Sequence, residues 1–261
     1  MQLTSSAVAF VSASLALALS PVFAAAADDE PAAVPYRPSV STPAALSAPG
    51  WIEIEVGLLH QHDGSGAYRD SVPATLKLAF SADWGVRVGA DAWVRQRDEA
   101  GHRTSGIGDT AAVVKRRLAV DDASAFGLEA AVVLPTARRG LGTGQAAYGI
   151  NGIYSIDFGR WHTDINLAAT RAGEIDAGTS RIQWLGAAAL STAINDRWGV
   201  VGEVSGTNQR GVESTRQLLV AASYGVSKRL VLDAGVARSL RSGAPTWSAF
   251  TGFTWLAARI F

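Results

Sequence analysis

From Trp51 onward, apolar residues recur at every second position, with small or polar residues between them. The last stretch, Thr246 to Phe261, shows this most fully. Trp247, Ala249, Phe253, Trp255, Ala257 and Phe261 fall on one side, and Thr246, Ser248, Gly252 and Thr254 mostly on the other. A period of two is that of a β-strand whose faces meet different media. The same alternation divides the chain into about twelve stretches of roughly ten residues, the length of a tilted strand crossing an outer membrane. They are 51–59, 73–81, 84–95, 107–119, 125–135, 148–157, 161–170, 181–193, 197–206, 215–226, 229–238 and 246–261.

The connections alternate too. Short ones, such as Ala82-Asp83 and Asn195-Asp196, follow even-numbered stretches. Longer polar, Gly-rich ones, at 60–70, 96–106, 136–147, 171–180, 206–214 and 239–245, follow odd ones. Short periplasmic turns and longer outer loops are the pattern of membrane barrels, and an even strand number puts both termini in the periplasm. Periodicity alone does not say which face is inside, but the aromatic residues do. Phe80, Trp84, Phe126, Phe158, Trp161, Trp198, Tyr224 and Phe261 cluster near short turns. Tyr148, Trp184 and Trp247 lie near long loops, and the middles are aliphatic. Two aromatic girdles around an aliphatic band describe a lipid-facing surface. The charges on that face, Arg116, Arg216, Arg238 and Arg259, all lie near a rim. The reading is an all-β chain: an antiparallel transmembrane β-barrel of about twelve strands in the bacterial outer membrane.

Composition adds to this. Net charge is zero, which argues against nucleic acid as a partner, and there is no cysteine. Residues 7–27 are apolar and end in small residues. They read as a signal peptide over 1–24, although Met1–Ser6 carries no Lys or Arg. Six of the nine prolines lie between Pro21 and Pro49. Residues 25–50 are therefore expected to be a Pro/Ala-rich periplasmic tether ahead of a barrel over 51–261, with a plug inside the barrel as the alternative.

On the opposite face the alternation places a polar lining. Its acids are Glu53, Glu55, Asp91, Asp109, Glu129, Asp157, Asp164, Glu203 and Asp233. Its bases are Lys77, Arg87, Arg95, Lys115, Arg117 and Arg181, with His162 and Trp93 beside them. Such a ladder either pairs within itself or selects solutes by size and charge. His162 and Asp164 share a face but have no serine in a hydrolase-like arrangement, so no catalytic residue is assigned. His60, His62 and Asp63 could ligate a metal but read as a polar loop, so no metal or other cofactor is assigned.

The most specific string is Gly106-Ile107-Gly108-Asp109 followed by Lys115-Arg116-Arg117-Leu118. Val133-Leu134-Pro135-Thr136 ends the next stretch, and Asn151-Gly152 and Glu203 follow. Over most of 51–261 the chain resembles the MetA-pathway phenol-degradation family of outer-membrane proteins, with Ala137 where that family has Gly. The resemblance implies a barrel that passes small hydrophobic or aromatic compounds inward. Two alternatives stand beside it: a closed structural or surface barrel, and a barrel enzyme. Expected partners are outer-membrane lipid, a small hydrophobic or aromatic solute, and the barrel-assembly machinery through the terminal strand ending in Phe261.

Overall fold

A computed structural model describes residues 30–62, 66–173, 177–240 and 247–261. Its strands are β1 (Trp51–His62), β2 (Tyr68–Ala79), β3 (Trp84–Arg97), β4 (Arg103–Gly106), β5 (Thr110–Ala119), β6 (Ser124–Leu134) and β7 (Ala147–Phe158). They continue as β8 (Trp161–Arg171), β9 (Ile182–Ala193), β10 (Trp198–Gln209), β11 (Val212–Ser227), β12 (Leu230–Ser239) and β13 (Trp247–Arg259). All pairings between them are antiparallel. Each strand pairs with its sequence neighbours, except that β4 and β5 both pair with β3. Those two are halves of one wall strand, so the barrel has twelve strands. Pairing of β1 with β13 closes it, from Trp51↔Arg259 at one end to His62↔Trp247 at the other.

Closure removes the sheet edges and satisfies the backbone polar groups that lipid cannot. The outward face carries Leu58, Ile150, Leu167, Val204 and Val236, each more than half exposed. A surface of that kind is stable in a hydrocarbon and unstable in water. Phe126 packs on Tyr154 and Trp198 on Tyr224, both with ring centroids 4.9 Å apart, in the girdle nearer the termini.

The expected loops at 60–70 and 206–214 are partly strand. β1 runs to His62, β2 starts at Tyr68, and β10 and β11 meet through Arg210-Gly211 alone, with Gly211 at φ 85°. At this end the wall continues past the apolar band.

The ladders are irregular at strand ends in β1–β13, β10–β11 and β11–β12, and the alternation slips at mid-strand in β3. Opposite Pro73 the ladder skips a residue: Val72 pairs with Trp93 but Pro73 with Asp91, leaving Ala92 unpaired. Proline has no N–H to give a ladder, so a bulge there costs little. The consequence is a change of face. Asp91 points inward, where Arg69 Nη2 donates to it at 2.9 Å. Beyond the bulge Trp93 is 43% exposed, and Arg95 pairs at 2.7 Å with Asp70 on the outer surface. Trp93 and Arg95, read as lumen-lining from the strict period, therefore lie on the outer face.

Candidate functional site

Residues 30–50, the described part of the 25–50 segment expected to be a periplasmic tether, form no helix or strand. They do not hang free, however: they lie inside the barrel and circle its inner wall as a collar. Their hydrogen bonds follow the wall in order. Val34 N–H donates to Glu53 Oε2 at 2.8 Å and Tyr36 N–H to Glu55 Oε1 at 2.7 Å, both on β1. Arg37 spans to β12, donating to both Asp233 oxygens at 3.1 Å, and to the Thr251 carbonyl on β13 at 3.2 Å. Val40 and Ser41 N–H groups donate to the two oxygens of Glu203 on β10, at 3.1 and 2.7 Å. Thr42 exchanges two bonds with the Asn166 amide on β8. Ala44 N–H donates to Ser155 Oγ on β7 at 2.7 Å, and Lys115 on β5 donates to the Pro43 carbonyl. Gly50 N–H closes the turn on the Ala79 carbonyl at 2.8 Å. The physical reason is general. A proline-rich segment cannot build its own ladder, but its unpaired N–H and C=O groups must be satisfied once water is excluded. The inward carboxylates and amides of the wall do this.

Tyr36 fills the middle of the collar. It is buried, its hydroxyl donates to the Ala45 carbonyl at 2.7 Å, and Lys77 and Lys115 Nζ stand 3.9 and 4.2 Å from its ring centre. Burial, and then Glu129, push its phenol far above the ordinary tyrosine range. Lys77 in turn bridges Glu53 at 2.5 Å and Glu55 at 2.7 Å and donates to the Val34 carbonyl at 2.6 Å. Arg37 reaches its seat because Gly57 and Gly252 face each other across β1 and β13. A Cβ on Gly57 would collide with the Arg37 guanidinium, and one on Gly252 would lie 2.7 Å from its Nε.

The inward residues named from the sequence thus take several positions. Glu53, Glu55, Lys77, Lys115, Glu203 and Asp233 hold the collar directly. Arg87 and Asn151 donate to Glu129 Oε2, each at 3.1 Å, one step behind it. Asp164 accepts from Ser155 Oγ at 2.5 Å and contacts His162 Nε2 at 3.1 Å, while His162 Nδ1 reaches Asp157 at 2.6 Å. Arg117 pairs with Gly127 toward the end nearer the termini. Arg181 is an exposed residue at the outer rim, donating to the Gly173 carbonyl at 2.8 Å. Asp109 sits in the break between β4 and β5. It accepts N–H groups of Ala137 and Thr143 at 3.0 and 2.7 Å, and the Thr143 hydroxyl at 2.9 Å. These three donors satisfy a carboxylate that burial would otherwise disfavour. It thereby pins the 135–146 loop over the outer mouth, where Leu141 is buried. Of the possible loop ligands, His60 pairs with Asp70 at 2.6 Å, and Asp63 lies outside the described residues.

Sequence reasoning missed Tyr36, Arg37, Ser155 and Asn166. The last two stand at the correct inward parity and were passed over because they carry no charge.

Two cavities flank the collar and share no lining residue. The outer one, about 560 Å³, is walled by Pro73, Ala111, Val113, Val133 and Leu141, with Arg69, Arg87, Asp91 and Asp109 as its charged groups and Thr75 and Thr143 as further polar ones. The inner one, about 390 Å³, lies between residues 33–45 and Asp157, His162 and Asp164. Beside the outer cavity the wall is thinly bonded. Pairing of β3 with β5 ends at Ala90↔Thr110 and with β4 resumes at Val94↔Gly106. Between them Gly108 N–H donates to the Asp91 carbonyl at 2.8 Å. The bulge at Ala92 loosens the β2 side at the same level.

A family model described as "Putative MetA-pathway of phenol degradation" matches residues 58–257. No curated protein matches the chain in sequence. Several solved structures match it in fold. The COG4313 outer membrane channel from Pseudomonas putida F1 is 13% identical with a TM-score of 0.65, over 81% of this chain and 97% of that one. The KdgM porin is 10% identical with a TM-score of 0.55, over 79% and 99%. The CymD monoaromatic hydrocarbon channel is 8% identical with a TM-score of 0.51, over 82% and 90%. These likenesses establish the outer-membrane barrel fold.

Proposed function

The chain belongs to the MetA-pathway phenol-degradation family, and from that premise we propose that it is an outer-membrane channel for small hydrophobic or aromatic compounds. The observation that carries this reading is the divided lumen. An open porin gives water a continuous path, whereas here the collar separates two cavities, and the outer one has an aliphatic wall of Pro73, Ala111, Val113, Val133 and Leu141 beside its charged groups. Such a cavity favours an apolar solute over a sugar, because apolar surface leaves water there while a sugar's hydroxyls lose partners. The likeness to a monoaromatic hydrocarbon channel agrees with this. The solute leaves the outer cavity through the thinly bonded wall at 91–93 and 107–109, which spares it the charged collar.

The geometry argues against a hydrolase built on Ser155: its Oγ accepts the Ala44 N–H and its own proton goes to Asp164, so it is not offered to His162 as a nucleophile. Residues 1–24, outside the described residues, serve as the export signal, and the stretch from β13 to Phe261 is what the assembly machinery reads.

The test is uptake of labelled toluene, benzoate and arabinose by porin-deficient cells whose lipopolysaccharide leaflet blocks aromatics. Toluene entry above the empty-vector rate, without arabinose entry, is expected. Equal entry of all three would make it a general pore. No entry, with the barrel shown folded by heat-modifiable migration, would make it a closed structural barrel.

A further inference from the structure

Three arginines lie on the membrane-facing side near a rim, Arg116, Arg216 and Arg238; Arg259, read there from the strict period, changes face because the ladder skips Ala257 and sets it opposite Trp51. Arg116 is engaged, stacking over Trp84 at 5.2 Å. Arg216 and Arg238 are exposed, and their guanidinium groups meet no hydrogen-bond or ion-pair partner among the described residues. They are neighbours. Leu218 pairs with Arg238, and Leu240 N–H donates to the Arg216 carbonyl, which sets the two arginines diagonally on one face. Diagonal residues of adjacent strands lie roughly 7–8 Å apart, close enough for two like charges to repel.

The surroundings fix the height of this pair. Arg238 pairs with Trp247 on β13, and Arg216 with Gly206 on β10. Two residues beyond Gly206, Asn208 pairs with Trp184 on β9 and donates to Ser214 Oγ at 2.9 Å. Trp184 and Trp247 are about half exposed on the outward face, at the end remote from the termini. Tryptophans in that position mark the headgroup level of the outer leaflet. Asp70, an acid on this face, is already held by His60 and Arg95.

We propose that the Arg216–Arg238 pair, flanked by Trp184 and Trp247, binds the phosphorylated headgroup of an outer-leaflet glycolipid, the lipid A part of lipopolysaccharide. A phosphate between the two guanidiniums removes their repulsion and accepts from both planar forks. The tryptophans offer their faces to the sugar and acyl chains, and Asn208 and Ser214 offer hydrogen bonds beside them. Phospholipids of the inner leaflet do not reach this height. An inner-leaflet phosphate would instead meet Arg116, whose charge already rests on a ring.

The test is native mass spectrometry of the mature chain in detergent. It is titrated with bisphosphorylated lipid A, phosphatase-treated lipid A, phosphatidylglycerol and inorganic phosphate. Selective retention of bisphosphorylated lipid A is expected. R216Q/R238Q should weaken it about tenfold or more, since each guanidinium contributes charge-assisted hydrogen bonds, and R116Q should leave it unchanged. R216K/R238K, which keeps the charge without the planar fork, should fall between and serves if the glutamine pair fails to insert. Equal retention of lipid A by wild type and R216Q/R238Q, both folded by heat-modifiable migration, would overturn the proposal. So would equal binding of phosphatase-treated lipid A or phosphatidylglycerol, or binding of inorganic phosphate alone.

Discussion

Glu203→Ala should free the arch of the collar while leaving the barrel folded. The Glu203 carboxylate is 2% exposed and accepts the Val40 and Ser41 N–H groups at 3.1 and 2.7 Å. Each bond from an N–H to a charged acceptor contributes about 1.5–3 kcal/mol, so both together give about 3–6 kcal/mol at most. Ser39 and Ser41 also line the inner cavity, so water can reach the arch once the carboxylate is gone and recover part of that. A net loss of about 2–3 kcal/mol remains, which raises the released population of residues 38–42 about 30- to 150-fold. The barrel itself rests on its closed ladder and should keep its heat-modifiable migration. Hydrogen exchange should show the loss as faster exchange of the Val40 and Ser41 amides, and planar-bilayer recordings as more frequent or larger openings. Glu203→Gln keeps one acceptor oxygen and should lie between. If the Ala variant folds but shows wild-type exchange at both amides and wild-type conductance, Glu203 does not hold the collar and the anchoring argument is wrong.

Three further outcomes follow from the same geometry. Lys77→Ala leaves Glu53 and Glu55 buried without their shared cation and should destabilise the folded barrel by about 3–5 kcal/mol, read as a lower midpoint in urea unfolding. Asp109→Asn should release the 135–146 loop over the outer mouth, seen as new protease cleavage near Arg138 or Arg139. Cysteine at position 91 should react with a water-soluble maleimide entering the outer mouth, and cysteine at 93 with a lipid-soluble one. The reverse result would remove the bulge at Ala92 and return Trp93 to the lumen.

The sequence by itself determined the wall. A side-chain period of two leaves a strand only two faces, so one apolar stripe with aromatic ends is enough to tell lipid from lumen. Strand number, closure through the terminal strand, and the inward parity of Glu53, Lys77, Glu129, Glu203 and Asp233 were all legible on that basis. Where the period slipped, the reading failed. Trp93 and Arg95 changed sides because Pro73, on a different strand, gives no hydrogen bond to the ladder, and a strand read alone does not show its neighbour's missing donor. The collar was decided by tertiary structure alone. Residues 30–50 carry no periodicity, and composition says only that they cannot pair with themselves. What fixes them is a set of carboxylates and amides spread over β1, β7, β8, β10 and β12 that converge only when the barrel closes. Thus Glu203 and Ser41, 162 residues apart, come within 2.7 Å. Local pattern reports which medium each side chain prefers. Which partner it finds there depends on contacts across the whole chain, and those exist only in the folded barrel.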